Sequence, residues 1–233
     1  MTPHAGPPVT ADALYPFLRP RDEDPEALID DVRRSTVDKA REINALRRRL
    51  AAELAEPLIR CAVALAGAFA SGGRLLALGN GGSATDARAV VALFSRPPRG
   101  RRLPALSLPA DVATVTALAN DVGFDVVYAR QVAAHGRAGD VALGLSTSGN
   151  SENVLRAFDE ARRRGLTTVG LAGYDGGRMA ESDAIDHLLI VPSASVHRIQ
   201  EAQTTLYHVL WELTQAALGA GGPAPSQAGR PPR

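Results

Sequence analysis

The run Ser146-Thr147-Ser148-Gly149-Asn150-Ser151 gathers hydroxyl and amide groups between an apolar stretch, Val141 to Leu145, and a helical pattern that begins near Asn153. A loop of this kind between a strand and a helix makes a cup for an anion. The first N–H groups of the helix have no intrahelical partners, and the helix dipole favours negative charge beside them. Serine and threonine hydroxyls add donors without adding charge, which suits a phosphate monoester that must also be released. The same residues would also serve as an ordinary Ser-rich N-cap.

A second loop repeats the logic. Arg74 to Leu78 reads as a short buried strand, Gly79-Asn80-Gly81-Gly82-Ser83 follows, and a helical pattern starts around Thr85. Glycines let the backbone turn sharply and approach a ligand closely. The loop half-matches the dinucleotide fingerprint, with Ala84 in its last place. A nicotinamide site would also want an acidic residue at the end of the next strand. The next strand-like run, Leu103 to Leu108, is followed by Asp111, which comes late for that role. Two phosphate-type loops fit a phosphorylated small molecule better than a dinucleotide, although a dinucleotide-dependent oxidoreductase stays among the alternatives.

The last helical pattern carries Arg198, Gln200, Glu201, Gln203 and His208 among apolar residues. Gln200 and His208 lie about two turns apart and share a face. A lone His on a helix is more often a hydrogen-bonded structural residue than a ligand. Glu201 reads equally as an ion-pair partner of Arg198. Asp86 falls at the expected start of the first loop's helix, where it reads first as a charge that complements the dipole.

The elements that must position these groups alternate. Two helical patterns, about 25–54 and 56–70, come first. The earlier one is heavily charged with a thin apolar face, which suits packing on a partner subunit. Strands are expected at 74–78, 103–108, 141–145, 167–171 and 186–191, divided by helices at about 85–95, 111–119, 125–136, 152–164 and 176–182 and closed by one at about 195–218. Short apolar runs divided by helices imply a parallel sheet covered on both faces. Ligands bind such sheets at the carboxyl ends of the strands, where both loops fall. The connection Arg96 to Arg102 is basic and reads as a solvated loop. Nucleic-acid contact is not expected from so short a run.

The 233 residues, 45% of them apolar, allow one sizeable domain with appendages, and a formal charge of +1 gives no general attraction to nucleic acid or membrane. Cys61 is the only cysteine and reads as a small buried hydrophobe. No signal peptide and no membrane-length apolar run stand out, so a cytoplasmic location is expected. Residues 1–25 carry several Pro and no sustained period, and the tail 219–233 is too poor in large apolar groups to offset ordering entropy; both are expected to be disordered, leaving 26–218 as the folded domain.

Gly79-Asn80-Gly81-Gly82-Ser83, Ala119-Asn120-Asp121, Gly139-Asp140-Val141 leading into Ser146 to Ser151, Gly173-Tyr174-Asp175-Gly176-Gly177 and Arg198-Ile199-Gln200-Glu201 follow one another in an order that resembles the sugar isomerase (SIS) domain, in its phosphoheptose isomerase branch. The resemblance covers about residues 30 to 218. It implies an α/β, flavodoxin-like doubly wound sheet with N-terminal helices and a long C-terminal helix, a homotetramer or homodimer with shared sites, and a phosphorylated sugar as ligand. Enzymes of the branch interconvert sedoheptulose 7-phosphate and a heptose 7-phosphate. Carried over by motif, Ser146, Thr147, Ser148 and Ser151 would hold the phosphate. Asn80, Gly81, Gly82, Asn120 and Asp121 would lie along the sugar. Gln200 would touch sugar and metal, and His208 would be a zinc ligand and acid/base group.

The family's zinc-binding His and, four residues later, its catalytic Glu fall on Ala89 and Leu93 in this chain. Neither side chain binds metal or moves a proton. Zinc would keep only Gln200 and His208, fewer than the three protein ligands of ordinary catalytic sites, so no cofactor is expected. His197 stands where some family enzymes have an Asp. Two main readings follow. One is a phosphosugar-binding protein without the standard isomerase activity; non-catalytic relatives in this branch include tetramers that bind a replication initiator, so this reading has room for a protein partner. The other is an active sugar-phosphate isomerase with a rearranged site, His208 serving as base with His197, Asp86 or Glu201 assisting.

Overall fold

The computed structural model describes residues 25–220. The described residues fall into two units, divided between Glu42 and Ile43. The first holds the early part of α1 (Pro25–Glu53), where Leu28, Ile29, Val32 and Val37 are exposed and Asp30–Arg33 and Asp38–Arg41 form ion pairs along the helix.

The second unit carries the sheet. After the rest of α1 comes α2 (Ala55–Ala70), then β1 (Leu75–Gly79), α3 (Gly82–Ser95), β2 (Ala105–Ser107), α4 (Val112–Asp121), α5 (Val127–His135), β3 (Val141–Ser146), α6 (Glu152–Arg163), β4 (Thr167–Gly173), α7 (Gly177–Ala180), β5 (His187–Val191) and α8 (Val196–Ala220). The strands pair in parallel in the order β2-β1-β3-β4-β5. This is the expected doubly wound arrangement, with its switch point between β1 and β3.

Side chains alternate across the strands. Leu75 and Ala77 of β1, with Val141, Leu143 and Leu145 of β3, join a core built with α2, α3 and α8. Leu76 and Leu78 of β1 and Ala142 of β3 face a second core built with α5 and α6. Every residue of β1 and β3 is buried, as the central strands of a sheet covered on both faces must be. Phe158 of α6 packs directly on Gly144, where a Cβ would stand 2.6 Å from its ring. Cys61 is fully buried in the first core, as its apolar context predicts, and burial pushes its thiol up to about 12.

Several boundaries differ from expectation. β2 has the length Ala105–Ser107 because Pro104 precedes it and Pro109 turns the chain into a 3-10 helix, Leu108–Ala110. α7 is a single short turn, Gly177–Ala180, entered through left-handed Gly176. α8 runs on through Gly219 and Ala220 rather than stopping at 218. The rest of the expected disordered segments lies outside the described residues. The basic connection is exposed at Arg96, Arg99, Arg101 and Arg102 and is pinned to α8: Arg99 donates to Glu212 at 2.9 Å, and the Arg101 backbone exchanges bonds with the Gln215 amide at 2.8 and 2.9 Å.

Candidate sugar-phosphate site

β1 ends at Gly79, whose carbonyl accepts a 2.6 Å hydrogen bond from the buried Tyr128 hydroxyl. That burial raises the phenol to about 12, so it stays a donor. A side chain at Gly79 would press on the Ser83 and Leu145 carbonyls, which explains glycine there. Gly81 takes a positive φ of 54°, and α3 starts at once from Gly82. A side chain at Gly82 would collide with the Gln200 amide, because α8 lays Gln200 directly over this backbone.

β3 leads into the second loop. The buried Ser146 hydroxyl shares a 3.0 Å hydrogen bond with that of Ser151, the N-cap of α6. Ser151 makes no side-chain bond to the N–H groups of its own helix, so it is not the ordinary N-cap that its residue type also allowed. Thr147 is half-buried and Ser148 exposed, with its Oγ accepting from the Asn150 N–H at 3.2 Å. Gly149 (φ 66°) closes the turn. Glu152, in the first turn of α6, is held below the usual carboxylate range by Arg178 and then Arg156, which donate to it at 2.6 and 2.9 Å. Its charge is thus largely committed before any anion arrives.

The two loops are tied together. Asn80 Nδ2 donates to Asn153 Oδ1 at 2.8 Å, and Asn153 Nδ2 donates back to Asn80 Oδ1 at 3.0 Å. Asn80 thereby meets the start of α6 at the switch point, and Gln200 lies over the neighbouring Gly82. Asn120 and Asp121 close α4, exposed and bonded to each other at 2.7 Å; no hydrogen bond among the described residues ties them to either loop.

The chemistry beyond the cup is spread along α3 and α8. Gln200 is half-buried and His208 exposed, eight residues further on, which is about 12 Å along the axis at 1.5 Å per residue. The His208 ring stacks on Tyr207 with centroids 5.0 Å apart, and its Nδ1 lies 2.8 Å from the Thr204 carbonyl. A bond to a carbonyl makes Nδ1 the donor. Ala89 and Leu93 are half-buried and pack against the first core. Among the described residues no three His, Cys, Asp or Glu side chains group as metal ligands do.

Asp86 departs from its first reading. α3 begins at Gly82, so Asp86 lies beyond the first turn, where the dipole acts little. Burial raises its carboxyl above the usual range, and a hydrogen bond from Tyr207 partly offsets this. Glu201 does pair with Arg198, as its alternative reading had it. Asn153, Tyr128 and Tyr207 were missed. Asn153 had a signal, since it opens the inward face of α6 where Val154, Ala157, Phe158 and Ala161 follow. Gln203, fully buried one turn after Gln200, has no partner for either amide atom.

The SIS domain family matches residues 40–173. The phosphoheptose isomerase of Pelobacter propionicus is 44% identical over 195 residues, spanning 83% of this chain and 100% of that protein. The chain belongs to the SIS-domain family. The chain is also similar to the Geobacter sulfurreducens phosphoheptose isomerase, 43% identical over 195 residues, 82% of this chain and 99% of that one. A solved phosphoheptose isomerase from Neisseria gonorrhoeae superposes with a TM-score of 0.74 at 36% identity, covering 79% of this SIS chain and 99% of the other.

Proposed function

We propose that this SIS domain binds a phosphorylated sugar in the crevice between the β1 and β3 loops, and that Ala89 and Leu93 replace the zinc-binding His and catalytic Glu of its isomerase relatives. Ser146, Thr147, Ser148 and Ser151 hold the phosphate. Asn80, Gly81, Gly82 and Gln200 line the sugar, with Asn120 and Asp121 at its far edge. The observation that carries the binding half is the reciprocal Asn80–Asn153 amide pair, which ties the two loops together at the switch point.

The catalytic half rests on donor chemistry. Moving a proton between adjacent carbons of a ketose and an aldose needs a base and a group that polarises the carbonyl. Ala89 and Leu93 offer neither and pack into apolar surroundings. Gln200 and His208 alone fall short of an ordinary catalytic zinc site, so the residues present do not fit the metal.

A second reading, a sugar-phosphate isomerase with a rearranged site, is favoured by one observation: Asp86, half-buried with a raised carboxyl, lies beside Tyr207, whose ring stacks on His208. A perturbed acid beside a phenol and an imidazole is the kind of cluster that performs proton transfer. Assembly as a homodimer or homotetramer, in the cytoplasm, accords with the exposed Leu28, Ile29, Val32 and Val37 and with the absence, among the described residues, of a helix able to cross a membrane.

The test of the binding site is Ser148→Asp, which sets a carboxylate against the phosphate in a partly dry cup. Calorimetric binding of sedoheptulose 7-phosphate is expected to disappear. Unchanged affinity would mean that the phosphate lies elsewhere.

A further inference from the structure

The basic connection between α3 and β2, Arg96-Pro97-Pro98-Arg99-Gly100-Arg101-Arg102, takes no part in the sugar-phosphate site, yet α8 holds it down. Gln215 Oε1 accepts from the Arg101 N–H at 2.8 Å, and Gln215 Nε2 donates to the Arg101 carbonyl at 2.9 Å, so one side chain satisfies both backbone groups of Arg101. Gly100 has a φ of 82°, and a Cβ there would stand 2.7 Å from Gln215 Oε1. Arg99 donates to Glu212 at 2.9 Å. Arg96, Arg101 and Arg102 remain exposed, and their guanidinium groups have no partner among the described residues. Four arginines thus stand against one carboxylate.

A cleft of about 310 Å³ opens here, lined by Arg99, Gly100, Trp211, Glu212, Gln215 and Ala216. That is the low end of the small-molecule range, room for one ring system. Trp211 gives it an aromatic wall, and the Arg99 guanidinium lies over the indole, 6.0 Å from the ring centroid. Atoms in contact stand about 3.5–4 Å apart, so a planar ring inserted between the two would need about 7 Å. The gap is wider than a closed stack and about 1 Å short of that spacing. The Arg99 side chain is 75% exposed, so it is free to shift by so little. Trp211 is 4% exposed, and its indole N–H has no acceptor among the described residues, where a buried indole usually has one.

Chemistry decides what kind of ligand belongs there. A nucleobase between indole and guanidinium gains stacking on one face and a cation–π contact on the other. Glu212 Oε1 accepts from Arg99, which leaves Oε2 for an amino group on the base. Arg101 and Arg102, next along the loop, hold unspent charge for a phosphate. Bare phosphate would leave Trp211 unused, and a neutral aromatic would leave the arginines unused. A nucleoside phosphate uses both. A nucleic-acid chain needs more phosphate contacts than these few arginines supply.

We propose that this cleft is a second ligand site, for a nucleoside phosphate. The base inserts between Trp211 and Arg99, and its phosphates meet Arg101 and Arg102. The Gln215 clamp on the Arg101 backbone sets the loop before binding, so little freedom is lost when the ligand arrives. The cleft shares no lining residue with the hydroxyl cup or the Gly-rich loop, and the inference does not rest on the phosphosugar reading.

Trp211 is the only tryptophan of the chain, so its fluorescence reads this cleft alone. The experiment titrates ADP, adenosine and pyrophosphate separately into the full chain. ADP is expected to quench the emission saturably, adenosine to do so about tenfold more weakly, and pyrophosphate not to quench. Arg101→Ala combined with Arg102→Ala keeps the backbone bonds to Gln215. It should weaken ADP about tenfold and leave adenosine as before. Saturation with sedoheptulose 7-phosphate should leave the ADP affinity unchanged. No saturable quenching by ADP, or an unaltered ADP affinity in the double variant, would overturn the site. Competition between ADP and sedoheptulose 7-phosphate would place the nucleotide in the cup and overturn it too. A single-stranded oligonucleotide that quenched far more tightly than ADP would make the occupant a nucleic-acid chain, against the proposal.

Discussion

Asn80 and Asn153 exchange two amide hydrogen bonds, 2.8 and 3.0 Å, across the switch point of the sheet. Each side chain stands on a different loop–helix junction, and each satisfies the other's carbonyl and amide in a partly buried setting. The pair ties the Gly-rich loop to the start of the helix that follows the hydroxyl cup.

Asn153 is 2% exposed, so removing its amide leaves Asn80 without its partner. Asn153→Ala is expected to cost about 1–3 kcal/mol of stability in urea unfolding. In a double-mutant cycle, Asn80→Ala added to Asn153→Ala should cost much less than the sum of the two single changes. Strictly additive losses would show that the pair is not coupled.

Asp86 makes a pH prediction with a definite sign. Its carboxyl is raised in the folded protein above 3.8, burial being the largest cause. Between that ordinary value and the folded one, the native state holds more protons than the unfolded chain, so this group's contribution to stability falls as pH rises through the window. Asp86→Asn keeps an acceptor for Tyr207 and removes the titration. The stability of Asp86→Asn relative to the unaltered protein should therefore grow as pH climbs from about 3.8. A difference that does not vary with pH would contradict the burial argument.

Much of this was legible in the sequence, for physical reasons that differ by element. β1 and β3 are continuous apolar runs because both faces are covered, and their loops announced themselves through glycine and hydroxyl residues that helices and strands avoid. The Asn80–Asn153 pair was not legible: the inward face of α6 marks Asn153 as facing the interior, but nothing local names a partner 73 residues away. Asp86 was misread because α3 starts from Gly82, three residues before the apolar period becomes visible, which moved the carboxylate from the helix end to the α8 contact. β2 was read too long because its apolar run continues through Leu108 into a 3-10 turn that Pro109 imposes.

Ala89 and Leu93 lie four residues apart on α3, the spacing that brings two side chains onto one helix face. Ala89→His with Leu93→Glu is expected to create zinc uptake of about one ion per chain, completing with Gln200 and His208 a four-ligand set. Leu93 is half-buried against the core, so the variant should be checked for folding by circular dichroism first. A folded variant that takes up no zinc would mean that the site has diverged beyond these two side chains.

The most direct test of the central claim is turnover of sedoheptulose 7-phosphate by the purified protein, with and without added zinc, with binding followed in the same samples. The account predicts binding without turnover under both conditions, because no residue at 89 or 93 can hold the metal or take the proton. Turnover would contradict it and would assign the proton transfer to the Asp86, Tyr207 and His208 cluster, in which His208→Ala would then abolish the rate.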